Sequence, residues 1–288
     1  MITTRFLKVF LLLIPAWLVL VSRARAELFE VAPQVKIYYE SSGQGEPLLL
    51  IPGWTMTSGI WKEQVAEFSK THRVIAMDPR SQGNSTKVLA GNSLNQQARD
   101  LRKLIEGLQL DRVTVVGWSM AVSVLLEYVN QFGNDRLRGL ILVDGNPLLL
   151  KKEDWPYGLT QEELHKWLTD FENDRAMQLN RFVDEMFKTD RSDSELEWIV
   201  KECSRTPTTI ATVLFYDMAA LDRRPYLAKI SVPTLIVMAG EHKEMGETIK
   251  NKIAGAKLSV FEGLGHALFL EDPRKFNDVM STFLKSLQ

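Results

Sequence analysis

The chain has few of the residues that staple or metallate a domain. Of its 288 residues one is cysteine, Cys203, and four are histidine. A lone thiol excludes an intrachain disulfide in any compartment, and Cys203 is expected to pack as a small hydrophobe. No run of Cys, His, Asp or Glu has metal-ligand spacing, and no phosphate loop or dinucleotide fingerprint occurs, so no cofactor is expected. Positive charge is not in excess either: 35 basic residues face 36 acidic ones, with no basic cluster, which argues against nucleic acid as a partner. Internal repeats and low-complexity tracts are absent.

Only one long apolar run stands out, Val9 to Val21. Arg5 and Lys8 precede it, and Ala24-Arg25-Ala26 follows with a small-x-small pattern. The run is too short to favour a membrane-spanning helix and reads as a signal peptide, residues 1–26, with cleavage expected after Ala26. Arg23 and Arg25 oppose this reading, because positive charge beyond the apolar run is disfavoured in export; retention as an anchor is the alternative. The expected destination is the periplasm or the exterior, without stable membrane insertion once the leader is removed. That leader carries four of the basic residues and no acidic one, so its loss takes the formal charge from −1 to −5. No cysteine follows it to carry a lipid.

The remainder alternates short β-rich runs with helical patterns, the mark of an α/β fold with a mostly parallel sheet covered on both faces. Strands are predicted at about 34–40, 47–52, 73–78, 112–117, 137–143, 232–239 and 257–261. "VTVVG" and "TLIVMAG" are apolar throughout, as strands buried on both faces should be. Helices are predicted near 58–69, 94–108, 120–132, 246–253 and 273–286, the last begun by Asp272-Pro273. Between about 147 and 222 the alternation stops. Leu164, Trp167, Leu168 and Phe171 share one helical face; so do Leu179, Phe182, Val183 and Met186, and again Leu196, Ile199, Val200 and Cys203. A fourth helix is expected after Pro207. The expected organisation is therefore a core of residues 27–146 and 223–288 with a helical cap, 147–222, inserted between strands. Trp155, Trp167, Phe215 and Met218 are the candidates to line a cavity beneath it.

Chemistry centres on "VVGWSMAV", residues 116–123. Ser119 stands where a strand gives way to a helix, and Gly117 and Ala121 supply the small flanks that a strained turn requires. The following helix dipole favours negative charge at that hydroxyl. Three further motifs occur in order: "PGW" (52–54), "DPRSQGNS" (78–85) and "GLGHALFLEDP" (263–273). Taken together they resemble the α/β-hydrolase superfamily, in its capped branch of carboxylesterases and cofactor-free perhydrolases, from about residue 34 to the C-terminus. In "DPRSQGNS", Ser81 replaces a glycine of that family, and Asp78 and Arg80 are expected to be structural.

The resemblance implies that Ser119 is the nucleophile, that His266 is its base, and that the backbone N–H groups of Trp54 and Met120 hold the oxyanion. Trp54 could also wall the acyl site or simply pack under the cap. His72 and His165 are read as surface or satisfied core residues. The acid departs from the family pattern: after "TLIVMAG" the chain reads Gly240-Glu241-His242-Lys243, with lysine where the carboxylate is expected. Asp144, in "LILVDGNP", is the preferred substitute, since the base needs a buried orienting carboxylate, with Glu241 and Glu244 as alternatives. The resulting expectation is a serine hydrolase whose partner is a small-molecule ester. The alternatives are a ligand-binding receptor on the same scaffold, or a perhydrolase, carbon–carbon hydrolase or aminopeptidase. Relatives with an aspartate nucleophile are disfavoured by Ser119.

Overall fold

The computed structural model describes residues 25–288; the expected leader falls almost wholly outside the described residues. Eight strands form one sheet: β1 (Arg25–Ala32), β2 (Val35–Ser42), β3 (Pro47–Ile51), β4 (Arg73–Met77), β5 (Val113–Trp118), β6 (Leu137–Val143), β7 (Thr234–Ala239) and β8 (Lys257–Phe261). Their order across the sheet is β1-β2-β4-β3-β5-β6-β7-β8. The pairings of β1 with β2 and of β2 with β4 are antiparallel, and all others are parallel.

Composition explains which strands sit where. β5 and β7 are buried at every position, matching their unbroken apolar sequence. β1 is an edge strand, RAELFEVA, largely exposed and rich in charge, so it lacks the apolar signal that marked the others and was not anticipated. Arg25 and Ala26 lie within it, so the expected cleavage point falls in this strand.

The core helices are α1 (Lys62–Phe68), α2 (Leu94–Gly107) and α3 (Met120–Phe132), followed by four helices between β6 and β7: α4 (Gln161–Asn173), α5 (Arg175–Asp184), α6 (Asp193–Cys203) and α7 (Thr208–Ala220). After β7 come α8 (Lys243–Lys250), the single turn α9 (Leu268–Glu271) and α10 (Pro273–Lys285). α8 begins three residues before its predicted start. Thr160 and Ser192 close capping boxes at the starts of α4 and α6, so this helical segment carries its own start signals. Among the described residues no helix is long and apolar enough to cross a membrane.

β3 pairs with β4 on one side and β5 on the other. The strand order thus reverses beside β3, and open α/β sheets bind ligands at the carboxyl ends of their strands near such a reversal.

Candidate active site

Ser119 is the first residue past β5. Its N–H still donates to the carbonyl of Val143 at 2.9 Å, continuing the sheet, before the chain turns at φ 58°, ψ −120° into α3. That left-handed conformation is costly for a residue with a Cβ and is held by the surrounding packing. The small flanks are needed. A Cβ on Gly117 would lie 2.7 Å from Leu125 Cδ1 and 3.1 Å from the Ala121 backbone, and one on Gly145 would lie 2.3 Å from Val122 Cγ2. Asp144 is placed in the same manner at the end of β6, donating its N–H to Val237 at 2.8 Å and then turning at φ 43°.

The structure brings Ser119, His266 and Asp144 together. His266 Nε2 is 2.9 Å from Ser119 Oγ, and His266 Nδ1 is 2.6 Å from Asp144 Oδ2. A carboxylate accepting at Nδ1 fixes the tautomer with Nδ1–H, which leaves the Nε2 lone pair for the hydroxyl. Glu241 is instead paired with Lys188 at 2.6 Å, and Lys243 faces Glu262 at 3.9 Å. Glu244 is exposed on the first turn of α8, and among the described residues neither glutamate bonds to His266.

The histidine loop is held from two sides. Trp118 Nε1 donates to the His266 carbonyl at 3.0 Å while its ring lies against the imidazole, centroids 5.1 Å apart. Glu271 accepts from the Gly265 N–H at 2.5 Å and from the N–H groups of Lys188 and Thr189 at 2.9 Å each. Ala267 N–H donates to Met186 at 3.0 Å. The loop carrying His266 is thereby tied to the link between α5 and α6. Nothing in the sequence marked Glu271 for this task beyond its place in the "GHALFLEDP" motif.

His242 was also missed. Its Nδ1 lies 3.0 Å from Asp144 Oδ2 and 3.1 Å from Oδ1, and Oδ1 further accepts from Ala239 N–H at 2.9 Å. The Asp144 side chain is fully buried. Burial alone would raise its pKa, but the hydrogen bonds from His242 and His266 outweigh that and hold the carboxyl well below the usual carboxylate range. The hydrogen bond to Asp144 raises the His242 pKa against the opposing effect of burial. A signal was available: β7 follows β6 in the sheet, so a polar side chain in the turn after β7 can face a carboxylate at the end of β6.

The backbone of Gly53 passes close to Ser119, since a Cβ there would sit 3.1 Å from Ser119 Cβ. The next N–H along the chain from Gly53 is that of Trp54, and the N–H directly after Ser119 is that of Met120 at the first position of α3. Among the described residues neither amide has a backbone acceptor outside regular helix and strand bonding. The Trp54 indole does not wall the cavity. It is buried among Trp167, Phe171, Phe182 and Phe215, with centroids 5.2–5.4 Å away, and its Nε1 donates to Ala211 at 2.8 Å.

A cavity of about 430 Å³ opens above Ser119, His266 and Asp144. Trp167, Phe215 and Met218 line it, as the sequence suggested, together with Leu149, Phe182 and Met245. Trp155 does not. It is buried, with Nε1 bonded to the Leu148 carbonyl at 2.9 Å and to Asn146 Oδ1 at 3.1 Å.

Asp78 accepts from the N–H groups of Ser58 and Asn84, both at 2.6 Å, and Arg80 makes a two-pronged pair with buried Asp100 at 2.6 and 2.8 Å. Both therefore fix the turn after β4. Ser81 adopts φ 64°, the conformation for which a glycine is expected there, and its hydroxyl accepts from Val88 N–H at 3.2 Å.

Comparison with known proteins bears on the fold as a whole. Residues 46–273 match the family model described as alpha/beta hydrolase fold. The chain is 27% identical over 249 residues to the pimeloyl-acyl-carrier-protein methyl ester esterase of Nitrosomonas europaea, a match covering 83% of this chain and 96% of that protein. Among solved structures, an esterase from Exiguobacterium antarcticum superposes with a TM-score of 0.87 at 26% identity, over 91% of this chain and 100% of the other. A bromoperoxidase from Bacillus anthracis superposes with a TM-score of 0.86 at 27% identity and the same coverage.

Proposed function

The chain belongs to the α/β-hydrolase fold family, and from that membership we propose that it is a serine hydrolase acting on small or medium carboxylic esters. The observation that carries this reading is the unbroken chain of hydrogen bonds from Ser119 Oγ through His266 to Asp144. Ser119 Oγ attacks the ester carbonyl carbon as its proton passes to His266 Nε2. The N–H groups of Trp54 and Met120 hold the resulting oxyanion; losing one such donor typically raises the barrier by about 3 kcal/mol. Collapse expels the alcohol, which takes the proton from His266 and leaves an acyl-enzyme. Water then gives a proton to His266 and attacks the acyl carbon, releasing the acid and restoring Ser119. Asp144 keeps the imidazole in the required tautomer and stabilises its protonated form.

The cavity supports this substrate class. Its volume is in the range that takes a small ligand, and its walls are mainly apolar and aromatic, which favours an uncharged acyl or alkyl group. On this reading residues 147–222 are a cap that supplies most of the wall. Export rests on the N-terminal sequence pattern.

A second reading is favoured by the likeness to a bromoperoxidase. The same acyl-enzyme attacked by hydrogen peroxide instead of water would release a peracid, so the chain would be a perhydrolase.

Both readings need an activated serine. A fluorophosphonate probe should label the purified protein at Ser119, and Ser119→Ala should abolish labelling. A folded wild type that resists the probe would instead fit a ligand-binding role. Initial rates on p-nitrophenyl esters, with and without peroxide, then separate hydrolysis from perhydrolysis.

A further inference from the structure

Asp144 serves two imidazoles. His266 approaches Oδ2 at 2.6 Å, while His242 spans both oxygens at 3.0 and 3.1 Å. His242 comes from the short turn Gly240–His242 at the end of β7, beside the position where the family resemblance places a carboxylate. In this chain the acid has moved to the neighbouring strand end, and a histidine faces it from the turn.

The second imidazole has two physical consequences. Among the described residues Asp144 Oδ1 otherwise accepts from Ala239 N–H alone, at 2.9 Å, so His242 supplies the other restraint on that oxygen as the carboxylate rotates toward or away from His266. It also shares the negative charge that would otherwise be spent on His266 alone. When His242 is protonated, a second positive charge lies on the same carboxylate, and the protonated form of His266 becomes harder to maintain. The other charged and titratable groups around His242 do not change this sign. Glu241 of its own turn is paired with Lys188 from the link between α5 and α6 at 2.6 Å. Glu185, after α5, pairs with Arg181 at 2.7 Å, and Tyr157 bonds to Thr248 at 3.1 Å; both line the same cavity.

We propose that His242 is a positioning residue for the Ser119–His266–Asp144 relay, one that locks the Asp144 carboxylate and keeps His266 unprotonated, and so able to activate Ser119, to lower pH. This inference rests on the serine-hydrolase reading above.

The test is the pH dependence of the second-order rate of Ser119 phosphonylation by a fluorophosphonate, measured for the wild type, His242→Phe and His242→Asn. No natural substrate is needed. In both variants the acidic limb should move up by about one pH unit, because neither can place a second positive charge on Asp144. Asn can still donate to the carboxylate and should keep the wild-type plateau, whereas Phe should lower the plateau about tenfold. If Phe fails to fold, the Asn limb alone decides the charge effect. Acidic limbs that coincide for all three proteins would overturn the proposal, and a Phe plateau equal to wild type would overturn its positioning half. A folded wild type unlabelled at every pH would instead reject the serine-hydrolase reading on which the inference stands.

Discussion

Single residues set the chemistry through their partners. Asp144 ionises easily because it is bonded by two imidazoles and one N–H, despite being buried. Cys203 shows the opposite balance: burial outweighs the nearby Arg175 guanidinium, which bonds the Cys203 carbonyl at 3.2 Å, and pushes the thiol up to about 12. It should therefore resist iodoacetamide in the folded protein at pH 8 and react only after unfolding, as mass spectrometry would show. His242 has a raised pKa, so its contribution to stability is full below its ordinary value and is lost as pH rises through the folded one. The melting-temperature deficit of His242→Phe should accordingly be larger at pH 6 than at pH 9. Much at this scale was legible in the sequence. Ser119 and His266 sit in motifs whose residues are adjacent in the chain. His242 was not legible, because its role depends on Asp144, 98 residues away, and becomes visible only when the ends of β6 and β7 are side by side.

Elements give those residues their directions. The turn between β5 and α3 works because Gly117, Ala121 and Gly145 leave room for it. Gly145→Ala would push a methyl group into Val122 and to within 2.7 Å of the Ser119 carbonyl oxygen. It should cost about 1–3 kcal/mol in chemical denaturation. Ester hydrolysis should fall more steeply, about a hundredfold, because the turn that aims the hydroxyl must shift. Buried strands and capped helices announced themselves by apolar runs and cap residues. β1 did not: an exposed edge strand, paired with β2 on one side alone, carries little burial signal. α8 starts ahead of its predicted position because the turn Gly240–His242 leads directly into it, without a capping side chain to mark the boundary.

The molecule as a whole depends on joining the helices between β6 and β7 to the sheet. Arg223, fully buried, bonds Glu127 of α3 at 2.9 Å and Asp217 of α7 at 3.3 Å, while its N–H donates to Pro147 at 3.0 Å. Asp217 in turn accepts from the first N–H of α2 at 2.6 Å. Arg223 thus ties both ends of the helical segment to the core, the Asp217 end through its guanidinium and the Pro147 end through its backbone N–H. Arg223→Ala would strand the buried Glu127 carboxylate and remove a partner of half-buried Asp217, and should destabilise the protein by about 3 kcal/mol in urea unfolding. Glu271 makes the second join, linking the His266 loop to residues 188 and 189. The overall architecture followed from alternating periodicities. These long-range ties did not, since charged residues on amphipathic helices read as solvated until their partners are in place.

The arrangement at the centre is most directly tested by steady-state hydrolysis of a p-nitrophenyl ester by Asp144→Asn, beside Glu241→Gln and Glu244→Gln. Turnover by Asp144→Asn should drop about ten-thousandfold with the fold intact, while both glutamine variants stay within about threefold of wild type. Near-full turnover by Asp144→Asn, with collapse in either glutamine variant, would contradict the hydrogen-bonded chain on which the proposed mechanism stands.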